Sequence, residues 1–204
     1  MRSFKFLFLT TAMSAVVAST GCSKAPEKSG TATAPTAAAK PSPEGEKLIL
    51  PADVTESQTV IAARESVKDG DEVAVVGRIG GSVDPWIKGR AAFTIVDPTL
   101  MSCSDNPGDG CPTPWDYCCD TDRLPKATAM VKFVDAEGKS VETDARELLG
   151  VKELQTVVVK GKAQRDEAGN LTVLASGLFV RPTNTAAVTK PHDHDHDHDH
   201  KDSK

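Results

Sequence analysis

The stretch Val73-Ala-Val-Val-Gly-Arg-Ile79 is the clearest strand signal in the sequence and decides the class of fold. Valine and isoleucine dominate it, and β-branched residues favour strands. Gly77 interrupts the run, and a glycine inside a strand favours a bulge or a sharp bend. The sequence therefore predicts a bent first strand, followed by a loop that contains Gly80-Gly81-Ser82 and Asp84-Pro85.

Four further strands and two short helices are predicted around this first strand. Asp144-Ala-Arg-Glu147 has the spacing of a capping box, and Gly150 is typical of a helix end, so a short helix lies between the third and fourth strands. Glu56–Lys68 predicts an amphipathic helix before the first strand, with Thr55 as its cap. The further strands are expected at Ala91–Val96, Ala127–Val134, Thr156–Lys162 and Leu171–Val180.

The resulting order, β-β-β-α-β-β with a bent first strand, resembles the OB fold, a small five-stranded Greek-key barrel. The resemblance covers most of residues 72–181 and implies a mainly β domain with a short N-terminal helix and a cysteine-rich loop insertion. A small sandwich or another β-barrel is the competing architecture. The phrases Gly77-Arg-Ile-Gly-Gly81 and Cys111-Pro-Thr-Pro-Trp-Asp-Tyr-Cys-Cys119 also resemble those of secreted proteins of planctomycete-type bacteria, to which no activity is assigned.

Residues 1–21 have the pattern of an export signal. A positively charged start is followed by the apolar stretch Phe6–Val17, which is too short to span a bilayer. Ser19-Thr20-Gly21-Cys22 resembles the lipobox of bacterial lipoproteins, in which the cysteine is acylated. The resemblance predicts lipidation of Cys22 and a membrane-anchored protein that faces the periplasm, at the outer membrane. The alternative is ordinary cleavage after Ala18, which leaves Cys22 as a free thiol.

Composition divides the rest of the chain into three parts. Residues 22–46 are rich in Ala, Pro, Thr and Ser and predict a lipid-anchored disordered linker. Residues 47–183 form the predicted OB-like domain, which has an ordinary size for one domain. Residues 184–204 predict a disordered tail rich in His and Asp, because the segment has no apolar periodicity.

The charge of the chain argues against nucleic acid as a partner. The full sequence of 204 residues has 24 Lys and Arg against 29 Asp and Glu, a formal net charge of −5. The domain 47–183 has 16 basic and 21 acidic residues, which is also a balance of −5. Residues 102–122, called the cysteine loop below, hold five aspartates and no lysine or arginine. The negative charge of the domain therefore belongs to this one insertion.

The cysteine loop contains four of the five cysteines, and several kinds of chemistry compete for them. An exported protein favours two disulfides, which would join Cys103 and Cys111 to Cys118 and Cys119 in one of two orders. Four thiolates also suit Zn²⁺ or Cu⁺, although the spacing is not that of a zinc ribbon. A redox pair is disfavoured because no C-x-x-C is present, and the aspartates lack the regular spacing of an EF-hand Ca²⁺ loop.

Aromatic residues in two loops suggest a ligand surface. Trp115, Asp116 and Tyr117 lie in the cysteine loop, and Trp86 lies in the loop after the first strand. If these side chains are exposed, they form a platform for an envelope protein, a glycan or a small ligand. The simpler interpretation is that the rings pack the cysteine loop onto the barrel.

The tail carries every histidine of the protein, alternating with aspartate. Imidazole is a good ligand for Zn²⁺, Ni²⁺ and copper ions, so the tail is predicted to bind divalent metal. The alternative is a solvated tail that only improves solubility. The histidines are His192, His194, His196, His198 and His200.

No recognisable catalytic set is present, and residues 47–183 contain no histidine. The sequence therefore predicts a protein that is not an enzyme. The first functional hypothesis is a non-catalytic binding module of the cell envelope, on an OB-like barrel. The second is a metal-binding protein that buffers or delivers Zn²⁺, Ni²⁺ or copper through the tail, with a contribution from the cysteine loop.

Overall fold

A computed structural model describes residues 39–106, 108 and 110–182, all within the compact unit Ala32–Lys204. Six strands and four short helices make up this part of the chain, together with one 3₁₀ turn at Cys103–Asp105. The helices are α1 (Pro43–Glu46), α2 (Val60–Ser66), α3 (Leu124–Ala127) and α4 (Ala145–Leu149). The strands are β1 (Gln58–Thr59), β2 (Glu72–Ile79), β3 (Ala92–Val96), β4 (Thr128–Phe133), β5 (Thr156–Arg165) and β6 (Leu171–Val180).

Strands β2 to β6 close into a five-stranded barrel, as predicted. The strands follow the order β2-β3-β4-β6-β5, and β5 pairs with β2 to complete the ring. The β4–β6 pairing is parallel, whereas the other pairings of the ring are antiparallel. With α4 between the third and fourth barrel strands, this arrangement is OB-like and mainly β.

Gly77 permits a close approach between neighbouring strands. A Cβ atom on Gly77 would lie 2.8 Å from Cβ of Ile95, which is too close for a side chain. On that edge of β2 the partner changes from β1 to β3, while the pairing with β5 runs through Gly77 without a recorded irregularity. Of the predicted bulge or sharp bend, no bulge occurs at Gly77; the register shift lies instead in the β5–β6 pairing, where Lys160 pairs with Gly177 and Gly161 with Ala175.

The helix before the barrel is shorter than its sequence pattern indicates. Helix α2 begins at Val60 rather than Glu56, and Thr59 caps it in place of Thr55. The Thr59 hydroxyl accepts a hydrogen bond from the Ala62 N–H at 3.4 Å. The residues just before the helix form β1 instead. This short strand pairs in parallel with the free edge of β2.

Helix α4 follows its sequence signals closely. The Asp144 side chain accepts a hydrogen bond from the Arg146 N–H at 3.0 Å, which satisfies a free donor of the first turn. Gly150 has a φ of +67°, so the helix ends in the left-handed conformation that favours glycine. Leu148 and Leu149 are buried in the main core, which the barrel interior and α4 share. A second apolar cluster of Val96, Leu100, Tyr117 and Ala127 lies under the cysteine loop.

The segment before residue 50 is packed on the barrel. The Ser42 N–H donates to the Leu148 carbonyl at 3.0 Å, and the Leu50 N–H donates to the Leu178 carbonyl at 2.8 Å. Helix α1 falls within the segment predicted as linker, so ordered contacts begin before the boundary at residue 46. None of the described helices is long and apolar enough to span a bilayer. The export signal, Cys22, most of the linker and the histidine tail lie outside the described residues.

Candidate metal centre

The cysteine loop is fixed to the barrel by backbone contacts and one indole. The Cys103 N–H donates to the Asp116 carbonyl at 2.8 Å, and the Ser104 N–H donates to the Pro114 carbonyl at 2.9 Å. These bonds hold the start of the loop beside its later segment Pro114–Asp116. The Trp115 indole N–H donates to the Val83 carbonyl at 3.1 Å, which ties the loop to the β2–β3 connection.

The predicted aromatic surface is buried in the structure. Trp86, Trp115 and Tyr117 have relative exposures of 6%, 5% and 0%, so their rings pack against the barrel and form no exposed platform. Asp116 is half-buried, and its carboxylate accepts a hydrogen bond from the Tyr117 N–H at 2.8 Å. The packing interpretation therefore holds, because rings of this size gain more from burial than from solvent contact.

Trp86 belongs to a separate polar cluster. Its indole N–H donates to Glu153 Oε1 at 2.6 Å, and the Arg146 guanidinium lies 5.4 Å from the centre of its ring. Glu153 is buried, and its Oε2 atom has no hydrogen-bond partner within the described part of the chain. This cluster fixes the β2–β3 loop to the chain that follows α4.

Three of the loop sulfurs converge. The Sγ atoms of Cys103, Cys111 and Cys118 all lie within 4.8 Å of one another. The sulfurs of Cys103 and Cys118 are 3.2 Å apart. Cys119 Sγ lies 4.0 Å from Cys118 Sγ, beside the group. Tetrahedral Zn–S bonds of about 2.3 Å separate neighbouring sulfurs by about 3.8 Å, so these spacings suit ligands around one metal ion.

The disulfides predicted from the oxidising environment of an exported protein are not present among the described cysteines. None of the four described loop cysteines is in a disulfide, and the 3.2 Å between the sulfurs of Cys103 and Cys118 is longer than a covalent bond of about 2.05 Å. No C-x-x-C arrangement brings two of these sulfurs to a helix N-terminus. Three cysteines this close together could hold a metal ion, which is the second alternative that the sequence predicts.

The cluster spans a gradient of exposure that affects the protonation of its thiols. Cys103 is buried, Cys111 is half-buried, and Cys118 and Cys119 are exposed. Burial, followed by the hydrogen bond with Cys118, raises the pKa of Cys103 to about 12. The bond with Cys103 lowers the pKa of Cys118, but desolvation and the neighbouring thiols outweigh it, so this pKa is also raised. Without an ion, the raised pKa values of Cys103 and Cys118 keep these two groups as thiols at neutral pH.

Arg78 holds the first turn of the cysteine loop. Its guanidinium forms an ion pair with Asp105 and donates to the Ser104 hydroxyl at 3.3 Å. The same Asp105 carboxylate accepts hydrogen bonds from the N–H and hydroxyl of Ser102, at 2.9 and 2.8 Å. Burial raises the pKa of Asp105, but the bonds from Arg78 and Ser102 outweigh it and hold the pKa below its usual value.

Tyr117 brings a buried hydroxyl to the same region. Its oxygen has no hydrogen-bond partner among the described residues. Burial is the main reason that its pKa is raised to about 12; Arg78 lowers the value, whereas Asp105 and Cys103 raise it. These influences place the hydroxyl within electrostatic reach of both the ion pair and the buried sulfur.

Three aspartates of the cysteine loop, Asp105, Asp116 and Asp120, accept local hydrogen bonds. Asp120 accepts from the Met101 N–H at 3.3 Å and pairs with Arg123 at 3.6 Å. Within the part of the chain that the structure describes, the cysteines form the sole cluster with the spacing of metal ligands. Asp109 lies outside the described residues, as do Cys22 and the tail histidines.

Sequence reasoning missed Arg78 as part of the site. The cysteine loop has no cation of its own, so a buried or half-buried carboxylate in it needs a partner from the barrel. That requirement indicates an arginine or lysine outside the loop. It does not indicate which one, because Arg78 is 27 positions from Asp105.

Fold and site together define an OB-like barrel that carries a cluster of three close cysteines. Comparison with models of known families gives no match, and comparison with curated proteins finds none of significant similarity. Function must therefore be argued from the geometry of the thiol cluster and its surroundings.

Proposed function

We propose that the protein is a non-catalytic metal-binding protein of the cell envelope, in which the cysteine loop holds one thiophilic ion. The observation that carries the proposal is the convergence of three Sγ atoms within 4.8 Å. Cys103 supplies a buried ligand, whereas Cys118 supplies an exposed one through which an ion enters and leaves. A buffering or delivery protein needs both features, because it must bind an ion and release it again.

The donor set favours Cu⁺ or Zn²⁺. Thiolate sulfur is a soft ligand that prefers these ions to Mg²⁺ or Ca²⁺. Three thiolates satisfy Cu⁺, whereas a structural Zn²⁺ site uses four ligands. Cys119, whose sulfur lies 4.0 Å from that of Cys118, is the fourth ligand available to Zn²⁺ after a side-chain rotation.

The predicted lipid anchor and histidine tail, at the two ends of the chain, fit a metal-binding function at the membrane. Acylation of Cys22 would anchor the protein to the membrane, and the histidines from His192 to His200 would capture Zn²⁺, Ni²⁺ or copper ions near the barrel. A tail held on the same chain as the thiols raises the local concentration of metal at the cysteine loop. The tail would thus collect ions that the thiols bind more selectively.

This function takes precedence over that of a ligand-binding module built on Trp86, Trp115 and Tyr117. That hypothesis needed exposed rings, and the three rings are buried. One argument still supports a disulfide-bonded loop, namely the oxidising compartment that an export signal implies. It is tested by measuring whether the loop cysteines are thiols or disulfides in the mature protein.

The test is native mass spectrometry of the mature chain with the five tail histidines changed to Asn, so that only the cysteine loop can bind. The reduced protein is loaded with Cu⁺ or Zn²⁺ and then washed with a weak chelator. We expect one retained ion per chain, and none in the variant Cys103→Ser with Cys118→Ser. Cys119→Ser is the matched control, because its sulfur lies beside the group of three, and it should keep Cu⁺.

Two results would refute the metal function. One is a parent protein that retains no ion. The other is equal retention by the parent and the double serine variant. The same spectra, recorded without reductant, count two hydrogens lost for each disulfide. Two disulfides in protein taken directly from the envelope would favour the bonded loop instead.

A further inference from the structure

A basic cavity lies apart from the cysteines, between α2 and α3. It has a volume of 470 Å³, within the usual range of about 300–1,000 Å³ for small-molecule sites. Three cationic residues line it, namely Arg64 on α2, Arg123 just before α3 and Lys126 in α3. This concentration is unusual here, because the domain as a whole has more acidic than basic residues.

The innermost cation has no carboxylate within ion-pair distance among the described residues, although the exposed Asp166 acts on it at longer range. Arg64 is half-buried, and its guanidinium donates to the Thr128 carbonyl at 3.0 Å. In the described ranges, Arg64 and Lys126 form no ion pair within 4.0 Å, and the pair of Arg123 with Asp120 is long at 3.6 Å. Positive charge at this cavity is therefore poorly compensated by the protein.

A further arginine, Arg165, increases this excess of positive charge. Arg165 donates to the carbonyls of Arg64 and Val67 at the end of α2, so its guanidinium is held beside that of Arg64. Burial, and then repulsion from Arg165, lower the pKa of Arg64, and the charge of Asp166 offsets this only in part. An anion in the cavity would relieve that repulsion, since charged donors form their strongest hydrogen bonds to anionic acceptors.

Two carboxylates also line the cavity, but they occupy its rim. Glu65 and Asp122 are both exposed, so water screens their charge. Arg64 is less exposed than either and is screened less. The interior of the cavity thus keeps a positive character that the outer carboxylates only reduce.

The cavity continues into an apolar one. A neighbouring cavity of 380 Å³ shares Arg64, and its walls include Leu124, Pro125, Met130 and Leu171. A ligand that places an anionic group at the arginine can lay an apolar body along this surface. An inorganic anion would use only the first cavity.

We propose that this pair of cavities binds a small organic anion, a carboxylate or a phosphate monoester with an apolar body, at Arg64, Arg123 and Lys126. The site includes none of the four loop cysteines, and it stands whether or not the thiols bind metal.

The test uses the full mature chain and three related probes: phenyl phosphate, benzoate and the neutral benzyl alcohol. Binding is followed by calorimetry and by the NMR signals of arginine side chains. We expect at least one of the two anions to bind about tenfold more tightly than the alcohol, as expected for one charge-assisted contact. Inorganic phosphate, which lacks the apolar body, should bind more weakly than phenyl phosphate.

The main variant is Arg123→Gln with Lys126→Gln, since both residues are exposed and their loss leaves the fold intact. It should weaken binding of the anion about tenfold, whereas Arg64→Gln should weaken it further. Lys88→Gln removes an exposed cation from the β2–β3 loop and is the control; affinity should stay within about twofold of the parent. Equal binding of the alcohol, no anion binding at millimolar concentration, or an equal loss in the control variant would each overturn the proposal.

Discussion

The barrel and the cysteine loop are held together by different kinds of contact. Each barrel strand pairs with two neighbours, and the interior is filled by residues such as Phe93 and Phe133, which are fully buried. The cysteine loop has one 3₁₀ turn, a few backbone bonds to itself and the ion pair of Arg78 with Asp105. The barrel is therefore stabilised by apolar burial, and the loop by a small number of polar contacts.

The two regions also differ in what they could bind. The barrel core is filled mainly by apolar side chains, although the Oε2 atom of Glu153 beside Trp86 is buried without a hydrogen-bond partner among the described residues. The loop brings three thiols together and buries the Tyr117 hydroxyl without a partner. Such a group costs about 1–3 kcal/mol, and it is retained where a ligand or a special chemistry uses the site.

The largest effect should come from emptying the barrel core. Phe93→Ala removes a buried ring that packs 5.6 Å from the centre of Trp86, and we expect a loss of about 3–5 kcal/mol in the free energy of unfolding. Urea unfolding measures this loss. Val83→Ala, at a side chain that is 68% exposed, should change stability by less than about 0.5 kcal/mol. Similar effects for the two variants would mean that the barrel core is not the source of stability.

The next effect concerns Asp97, at the point where the chain leaves β3 for the cysteine loop. This buried carboxylate accepts hydrogen bonds from the N–H groups of Ile61 and Thr99, at 2.8 and 3.0 Å. Burial raises its pKa, but these bonds outweigh burial and hold the pKa below its usual value. Asp97→Asn keeps the shape and removes the charge, so we expect a loss of about 2 kcal/mol at neutral pH by urea unfolding.

The pH dependence of this variant follows from the direction of the shift. Because the folded pKa is depressed, the stabilising contribution is present above the unfolded value of about 4 and is lost as pH falls through the folded pKa. The difference between wild type and Asp97→Asn should therefore shrink in strong acid. Asp122→Asn, at an exposed carboxylate of the loop, is the control with no expected difference. A gap for Asp97→Asn that widens in acid would refute the assignment.

Much of the barrel could be predicted because its signals are local. Leu171–Val180 is a strand over the predicted range, and Gly150 ends α4 as its pattern indicates. The register shift beside Gly161 was missed, since it depends on a close approach to the Leu174 backbone in β6 that no local pattern records.

The site was less predictable because its contacts are distant in sequence. Trp115 was offered as an exposed ligand residue, but its indole bonds to the carbonyl of Val83, which is 32 positions away. The aromatic residues alone could not distinguish a platform from an anchor. The cysteine spacing gave the correct set of sulfurs but not their state, because bonded and free thiols need the same proximity.

A smaller effect is expected at Arg78, which connects the two regions. Arg78→Ala removes the partner of Asp105 and a bond to the Leu154 carbonyl, yet it leaves the barrel core intact. We expect a loss of about 1–2 kcal/mol, together with faster alkylation of the buried Cys103 thiol, followed by mass spectrometry.

The control for this variant is Arg90→Ala, which breaks a surface ion pair away from the thiols. In that pair the Arg90 guanidinium lies 3.5 Å from the Glu142 carboxylate. It should lower stability by at most about 1 kcal/mol and leave the alkylation rate of Cys103 unchanged. If Cys103 reacted no faster after Arg78→Ala than after Arg90→Ala, the ion pair would not be what closes the cysteine loop.

The smallest effect should come from Tyr117→Phe, and its sign carries the information. The hydroxyl has no partner among the described residues, so its removal loses no hydrogen bond and relieves a buried polar group. Stability of the metal-free protein should stay the same or rise by up to about 1 kcal/mol, as measured by thermal unfolding. Thr94→Val is the matched deletion, because the Thr94 hydroxyl donates to the Gly80 carbonyl at 2.7 Å, and it should lower stability by about 1 kcal/mol. If Tyr117→Phe proved as costly as Thr94→Val, the phenol would have a partner, and the contrast between the satisfied Thr94 hydroxyl of the barrel and the unsatisfied Tyr117 hydroxyl of the loop would fail.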